Sequence, residues 1–247
     1  VVVTNEPVWN YEGDRGPANW GSLDAAFCAC SQGVEQSPID LAAEAAVGDY
    51  PRVEFNYAPR AATVVNTGRS IQVNVDPGSG ITIGDTHYEL LQFHFHHRSE
   101  HTVGGVRYPM ELHLVHSAHQ GDLARQIQRG DGSNLAVVGI LLREGPANGV
   151  LAPICARLPR QTGAAVTLQD AVPLAELLPV SRIAWRYRGS LTTPPCTEGV
   201  SWIVMTEPVA LSAVQIVTFG ALYPGNYRPV QPLGQRTLGR DNGGHDE

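Results

Sequence analysis

The sequence predicts an α+β fold dominated by β-structure: one domain around a large, mainly antiparallel, twisted central sheet, with a few short helices at its periphery. Three observations point there. Runs rich in β-branched and aromatic residues recur along the chain, Gly, Pro, Asn or Asp stand between them, and helical patterning is confined to two short stretches. A chain of 247 residues with no Gly-, Ser- or Pro-rich linker reads as a single domain over 1–247, with a core from about 7 to 238 and a polar tail over 239–247.

In order, the strand runs are "ATVVNTGRSIQVNV", "GITI", "HYELLQFHFHH", "VRYPMELHLVH", "NLAVVGILL", "RIAWRYRG" and "VSWIVMTEP". The helical stretches are "NGVLAPICARL", weakened by Pro153, and "LSAVQIVTFGALY", with Ser212 placed as its N-cap.

Composition narrows the function. With 43% hydrophobic and 17% charged residues the chain can bury a sizeable core, and no apolar run approaches the roughly 20 residues of a membrane span. The net charge of −7 argues against a nucleic-acid partner or an anionic membrane surface. Four scattered cysteines, Cys28, Cys30, Cys155 and Cys196, are compatible with disulfides in an oxidising compartment. Their only close pair, Cys28 and Cys30, is too little for a cysteine zinc site. The opening "VVVTNEPVWNYEG" has neither a starting Met nor a charged segment followed by an apolar one, which fits a mature chain.

The chemistry is concentrated in "FHFHHRSEH", residues 93–101, where four of the nine histidines fall in nine positions. In a strand, residues two apart share a face, so Gln92, His94 and His96 line one side and Phe93, Phe95 and His97 the other. The same rule groups Glu111, His113 and Val115 in "MELHLVH". Gly104–Gly105 between the two runs reads as a turn. If the hairpin is symmetric about it, His113 stands opposite His96 with His94 diagonal, roughly 7–8 Å away. A lone strand histidine is more often a packing residue, but H-x-H facing E-x-H reverses those odds. Three imidazoles without a cysteine or carboxylate suit a catalytic zinc with one open position, at which a bound water ionises near pH 7. Gln92 and Glu111 face the same way and can accept the ligands' remaining N–H groups. His97 and His116 point away, and His119 lies in a polar loop. Spacing alone leaves Glu100 ambiguous.

With "QFHFH", "SEHTV", "ELHLVH" and "GSLTTPP" in this order, and "WNYEG", "EQSPIDL" and "NYRPVQPL" flanking them, the sequence resembles the α-class carbonic anhydrases over nearly its whole length, most closely the exported bacterial members. The resemblance implies a single domain that reversibly hydrates carbon dioxide to bicarbonate by attack of zinc-bound hydroxide, with esterase activity as a side reaction. It makes His94, His96 and His113 the Zn2+ ligands. Thr192 would accept from the hydroxide and donate to Glu100. Gln92, Glu111 and Asn226 would support the ligands, and His101 would be a buried structural residue near the glutamate. Val115, Val137, Leu191, Val200 and Trp202 would wall the carbon dioxide pocket beside Thr193. Tyr11, Thr67 and Gln72 would order water. A disulfide is implied between Cys30 and Cys196, with Cys28 and Cys155 either a second pair or free. Sulfonamides and small anions would inhibit, a homodimer is compatible, and the protein would be periplasmic or secreted.

One position departs from the family. Where a proton-shuttle histidine usually follows the glycine of "VVNTGRSIQV", this chain has Arg69, which holds its proton at any ordinary pH. Removal of protons is therefore expected to be slow. The rival reading is a zinc-free binding module of the same family. Such relatives usually show a replaced ligand histidine, and all three are present here. A zinc hydrolase of another class lacks support, because there is no HExxH segment.

Overall fold

The structure, a computed structural model, describes residues 9–41, 45–118 and 130–241. Its strands in chain order begin with β1 (Asp40–Leu41), β2 (Ala46–Val47), β3 (Val53–Asn56), β4 (Ala62–Asn66), β5 (Ile71–Val75) and β6 (Gly80–Ile83). There follow β7 (Thr86–His97), β8 (Thr102–Val103), β9 (Val106–Arg107), β10 (Met110–Ser117) and β11 (Leu135–Glu144). The last are β12 (Ala165–Thr167), β13 (Ala184–Ser190), β14 (Glu198–Met205), β15 (Val209–Leu211) and β16 (Gly239–Arg240). The main sheet runs β12-β4-β5-β7-β10-β11-β14-β13-β16-β2, with β3, β6 and β15 paired off that path. Its pairings are antiparallel except β11 with β14 and β15, and β16 with β2. Strands β7 and β10 are interior to it, each hydrogen-bonded on both sides, so side chains mounted on them are held by a rigid support.

Alternation along these strands sorts side chains into two cores. Phe93, Phe95, Leu112, Leu114, Val138, Ile140, Ile203 and Met205 belong to the larger one. Val115, Val137, Leu141, Val200, Trp202 and Val204, the alternate residues, belong to a second one on the other face, with Leu191 packed against it. The helix Ala213–Gly220 covers the first. Its start is fixed by a capping box, in which Ser212 Oγ accepts from the Gln215 N–H and Gln215 Oε1 accepts from the Ser212 N–H. Phe219 then packs on Phe95, ring centres 4.3 Å apart, and Gly220 lets the helix approach His97: a Cβ there would lie 2.8 Å from the imidazole. The other expected helix shrinks to Ala152–Cys155, beginning next to Pro153, which has no N–H to miss at a first turn.

Two differences from the sequence reading have plain causes. Gly239–Arg240 is a strand pairing with Trp185 and Arg186, and Asp241 Oδ1 accepts from the Ala184 N–H at 2.8 Å, so the sheet continues past the boundary placed at 238. Two residues carry too little pattern to read as a strand. The expected register, His113 opposite His96, is also corrected: His113 stands opposite His94, and Glu111 opposite His96. The tight turn is symmetric, Val103 pairing with Val106 and Thr102 with Arg107. Between it and the long strands, however, residues 98–101 on one side face only 108–109 on the other. This asymmetry slides β10 by two residues. A slip of two preserves the face, so the three histidines still converge.

Near the N-terminus, helices Trp20–Leu23 and Ala29–Gln32 are too short to show a periodicity in sequence. They bring Cys30 to Cys196, and the two form a disulfide with Cα atoms 5.0 Å apart, packed against Trp20. The bridge closes a separation of 166 residues onto the loop that follows Thr192. Cys28 and Cys155 do not pair: Cys28 is exposed, and Cys155 is half-buried with its thiol pushed up to about 11 by burial. Replacing Cys196 by serine is expected to lower the unfolding free energy by about 2–4 kcal/mol in urea titrations, since a bridge across a long loop restricts the unfolded chain. A variant as stable as the parent, or a parent whose Cys196 reacts with alkylating reagent before denaturation, would refute the bond.

Candidate metal centre

His94 and His96 project from β7, and His113 projects from β10 on the same face. Their ring centres lie 4.6–5.4 Å apart, and one nitrogen from each falls within 4.8 Å of the other two. Each ring commits its other nitrogen to the protein. His94 Nδ1 is 2.9 Å from Gln92 Oε1, His96 Nδ1 is 2.7 Å from the Asn226 carbonyl, and His113 Nε2 is 2.8 Å from Glu111 Oε1. Those acceptors require N–H on the bonded nitrogens, which leaves His94 Nε2, His96 Nε2 and His113 Nδ1 as bare lone pairs. Burial holds all three imidazoles below their usual range, His96 at about 4, with neighbouring histidines adding to the effect. They are neutral at pH 7, the form a metal binds.

Glu111 is the hub beneath them. Its Oε1 accepts from His113 Nε2 and His101 Nδ1, and its Oε2 accepts from the backbone N–H groups of Glu100 and His101. Burial alone would raise this carboxyl, but His101 and His113 and their hydrogen bonds outweigh it and hold it well below the usual range. Across the sheet stands Gly139, the register partner of His113; a Cβ there would come 3.3 Å from Glu111 Oε1. His101, Glu111 and His113 also come together as potential ligands. They are already satisfied by one another, so they support the centre rather than form a second one.

Glu100 lies at the edge of the triad, fully buried, its Oε2 3.4 Å from His96 Nε2 and 3.8 Å from His113 Nδ1. Its Oε1 accepts from the Arg228 N–H, and Thr192 hydrogen-bonds the carboxylate through its hydroxyl. Burial pushes the acid up to about 7 against these donors. His96 Nε2 and Glu100 Oε2 are both buried and have no hydrogen-bond partner among the described residues. Two orphaned polar atoms facing each other, beside two more bare imidazole nitrogens, fit a bound cation with its water.

The remaining expected residues fall into place unevenly. Val115, Val137, Val200 and Trp202 are buried in one cluster, with Leu191 at its edge, and Trp202 lies 4.9 Å from the His113 ring. Asn226 serves His96 through its carbonyl, while its side chain ties the His97 N–H to the carbonyls of Arg69 and Phe95. Tyr11 is half-buried in the aromatic group of Trp9 and Trp20, and its phenol, raised by burial, feels both Glu100 and Arg69. Thr193 accepts the Cys196 N–H on its carbonyl. Thr67 is exposed and spends its hydroxyl on the turn to Ser70, and Gln72 donates to Asn74. Neither of these two bonds to a group of the centre.

Sequence reasoning missed Tyr187, Arg228 and Ser37. Tyr187 Oη lies 2.7 Å from His101 Nε2 and 2.9 Å from Ser37 Oγ. Arg228 is buried and donates to Gln36 Oε1 and the carbonyls of Ser37 and Cys30. The one available signal for Tyr187 was a tyrosine at an inward position of "RIAWRYRG", whose hydroxyl must find a partner when buried.

A model of the eukaryotic-type carbonic anhydrase family matches residues 15–241. The chain belongs to the α-carbonic anhydrase family. It is 41% identical over 239 residues to a carbonic anhydrase of Nostoc sp., covering 93% of this chain and 84% of that one. A carbonic anhydrase of Pectobacterium carotovorum is 36% identical over 237 residues, with 96% and 92% covered. Among solved structures, the α-carbonic anhydrase of Thermovibrio ammonificans in complex with sulfanilamide superposes with a TM-score of 0.87 at 36% identity, covering 95% of this chain and 99% of that one. Within the α-carbonic anhydrase fold, the histidine triad sits on two interior strands of the sheet, and the 192–196 loop is anchored by the disulfide.

Proposed function

We propose that this chain hydrates carbon dioxide to bicarbonate, and the reverse, at a zinc ion held by His94 Nε2, His96 Nε2 and His113 Nδ1. The observation that carries the reading is the set of three neutral, converging imidazole nitrogens beside the Thr192–Glu100 pair. Zinc bound there supplies Lewis acidity that brings the pKa of a water to about 7. The protein supplies orientation. An ionised Glu100 can only accept, so the Thr192 hydrogen goes to it and the Thr192 lone pairs turn toward the nucleophile. The apolar wall of Val115, Val137, Leu191, Val200 and Trp202 suits an uncharged substrate and offers nothing to the charged product. Activated esters would be attacked at the same centre. Sulfonamides and small anions would inhibit, in keeping with the sulfanilamide-bound relative. The Cys30–Cys196 bond supports a periplasmic or secreted location. No described helix is long and apolar enough to cross a membrane.

Metal analysis with stopped-flow carbon dioxide hydration tests the proposal. One zinc per chain, with activity lost to a chelator and restored by zinc, is expected. A folded protein without metal or hydration would return the binding-module alternative.

Proton removal should be slow. Arg69 is fixed by a bond from Nε to the Trp9 carbonyl and by stacking 4.2 Å over the Trp9 ring. Among the described histidines outside the centre, His87 pairs with Glu89, His97 lies behind the sheet, and His116 is buried against Tyr57. His119 and His245 lie outside the described residues. Maximal turnover should therefore rise several-fold with added imidazole buffer while kcat/KM stays constant, and Arg69→His should blunt that rise. Full turnover in dilute buffer would show that another group carries the proton.

A further inference from the structure

A cavity of about 180 Å3 is lined in part by Tyr11, Glu12, Arg69, Tyr223 and Asn226. Two links tie it to the chemistry. Asn226 is the residue whose carbonyl takes the His96 Nδ1–H. The Tyr11 phenol feels the opposed charges of Glu100 and Arg69, which puts both within electrostatic reach of one oxygen. Arg69 brings a permanent cation to this wall. Its stacking on Trp9 and its Nε bond to the Trp9 carbonyl fix the guanidinium, so little side-chain entropy is lost when the group binds something. Those contacts use one N–H and one face of the group. Among the described residues no hydrogen bond or ion pair engages its terminal nitrogens.

We propose that Arg69 and this cavity form a docking site for a small planar oxyanion, which in this enzyme is bicarbonate. This rests on the reaction proposed above. The chemistry follows from the two environments. The apolar wall beside the triad offers no charge to the anionic product, whereas this cavity offers a pre-oriented fork of donors matched to a carboxylate-like group. Glu12, on the same wall and exposed, opposes the anion and keeps the site weak, as a product-release site must be. No bond is made or broken here.

The test uses the zinc-loaded enzyme labelled with 15N. The indole N–H signal of Trp9, assigned by its loss in Trp9→Phe, is followed during titration with bicarbonate and, separately, with chloride at matched ionic strength. In the parent, bicarbonate should shift the signal saturably and at lower concentration than chloride. Arg69→Gln should weaken that binding about fivefold, the scale of one partly exposed charge contact, while Arg69→Lys retains part of it. Glu12→Gln should tighten it. Equal responses to chloride and bicarbonate, no saturable shift in the parent, or unchanged affinity in Arg69→Gln would each overturn the site. The parent's carbon dioxide hydration rate, measured on the same sample, separates the two ideas. An active enzyme whose Trp9 signal ignores bicarbonate rejects the docking site alone; an inactive one rejects the reaction.

Discussion

Replacing His113 by alanine is expected to strip the protein of stoichiometric zinc and to bring carbon dioxide hydration close to the uncatalysed rate. Two effects act together. The variant removes one of three converging nitrogens, leaving two imidazoles from a single strand with no donor from β10. It also withdraws one of the four donors on the Glu111 carboxylate, loosening the hub on which His101 depends. Loss of an outer partner of a metal ligand typically costs 10–100-fold in affinity, so loss of the ligand itself should exceed about 100-fold. Zinc content after dialysis, affinity by chelator competition and stopped-flow hydration read the result. Circular dichroism guards against simple unfolding, since His96 and His113 are buried. A folded variant that keeps both its zinc and its rate would mean that His113 is not a ligand. Glu111→Gln gives a graded comparison: zinc should remain, held more weakly, because an amide accepts fewer hydrogen bonds than a carboxylate.

Thr192→Ala should behave differently, keeping zinc while kcat/KM for hydration falls by about 100-fold. The hydroxyl touches no ligand histidine. It bonds to Glu100, and in the proposed reaction the variant would remove the acceptor that aligns the nucleophile. A 100-fold loss corresponds to about 2.7 kcal/mol of transition-state stabilisation, reasonable for one oriented polar contact in a water-poor site. Thr192→Ser, which keeps the hydroxyl, should recover most of the rate. If Thr192→Ala retained parental kcat/KM, the Thr192–Glu100 pair would be structural only. Loss of zinc in the same variant would mean that the loop shapes the metal site.

The sequence by itself determined which faces exist. Period-two alternation in 92–97 and 110–117 put His94, His96 and His113 on one side and Phe93, Phe95, Leu112 and Leu114 on the other, because consecutive side chains of an extended chain must point oppositely. The N-cap at Ser212 was legible for a similar reason, a cap being a contact within four residues. Thr192, Glu100, the wall and the disulfide came from resemblance to a family, since nothing local marks them. A threonine before two prolines looks like a turn, and a carboxylate between Ser99 and His101 looks solvated.

Tertiary structure alone decided the rest. It set the two-residue slip of β10, because register depends on the four residues 98–101 facing only 108–109 rather than on the turn itself. It also chose Tyr187, Ser37 and Arg228 as supports for His101 and Glu100, across separations of 86 to 191 residues. The two-residue strand β16 exists only because Trp185 and Arg186 offer it backbone partners. The physical reason is common to all three. Direction along a strand is a property of neighbouring residues, whereas a buried polar group takes whatever partner the fold brings within hydrogen-bond distance, and sequence spacing carries no record of that meeting.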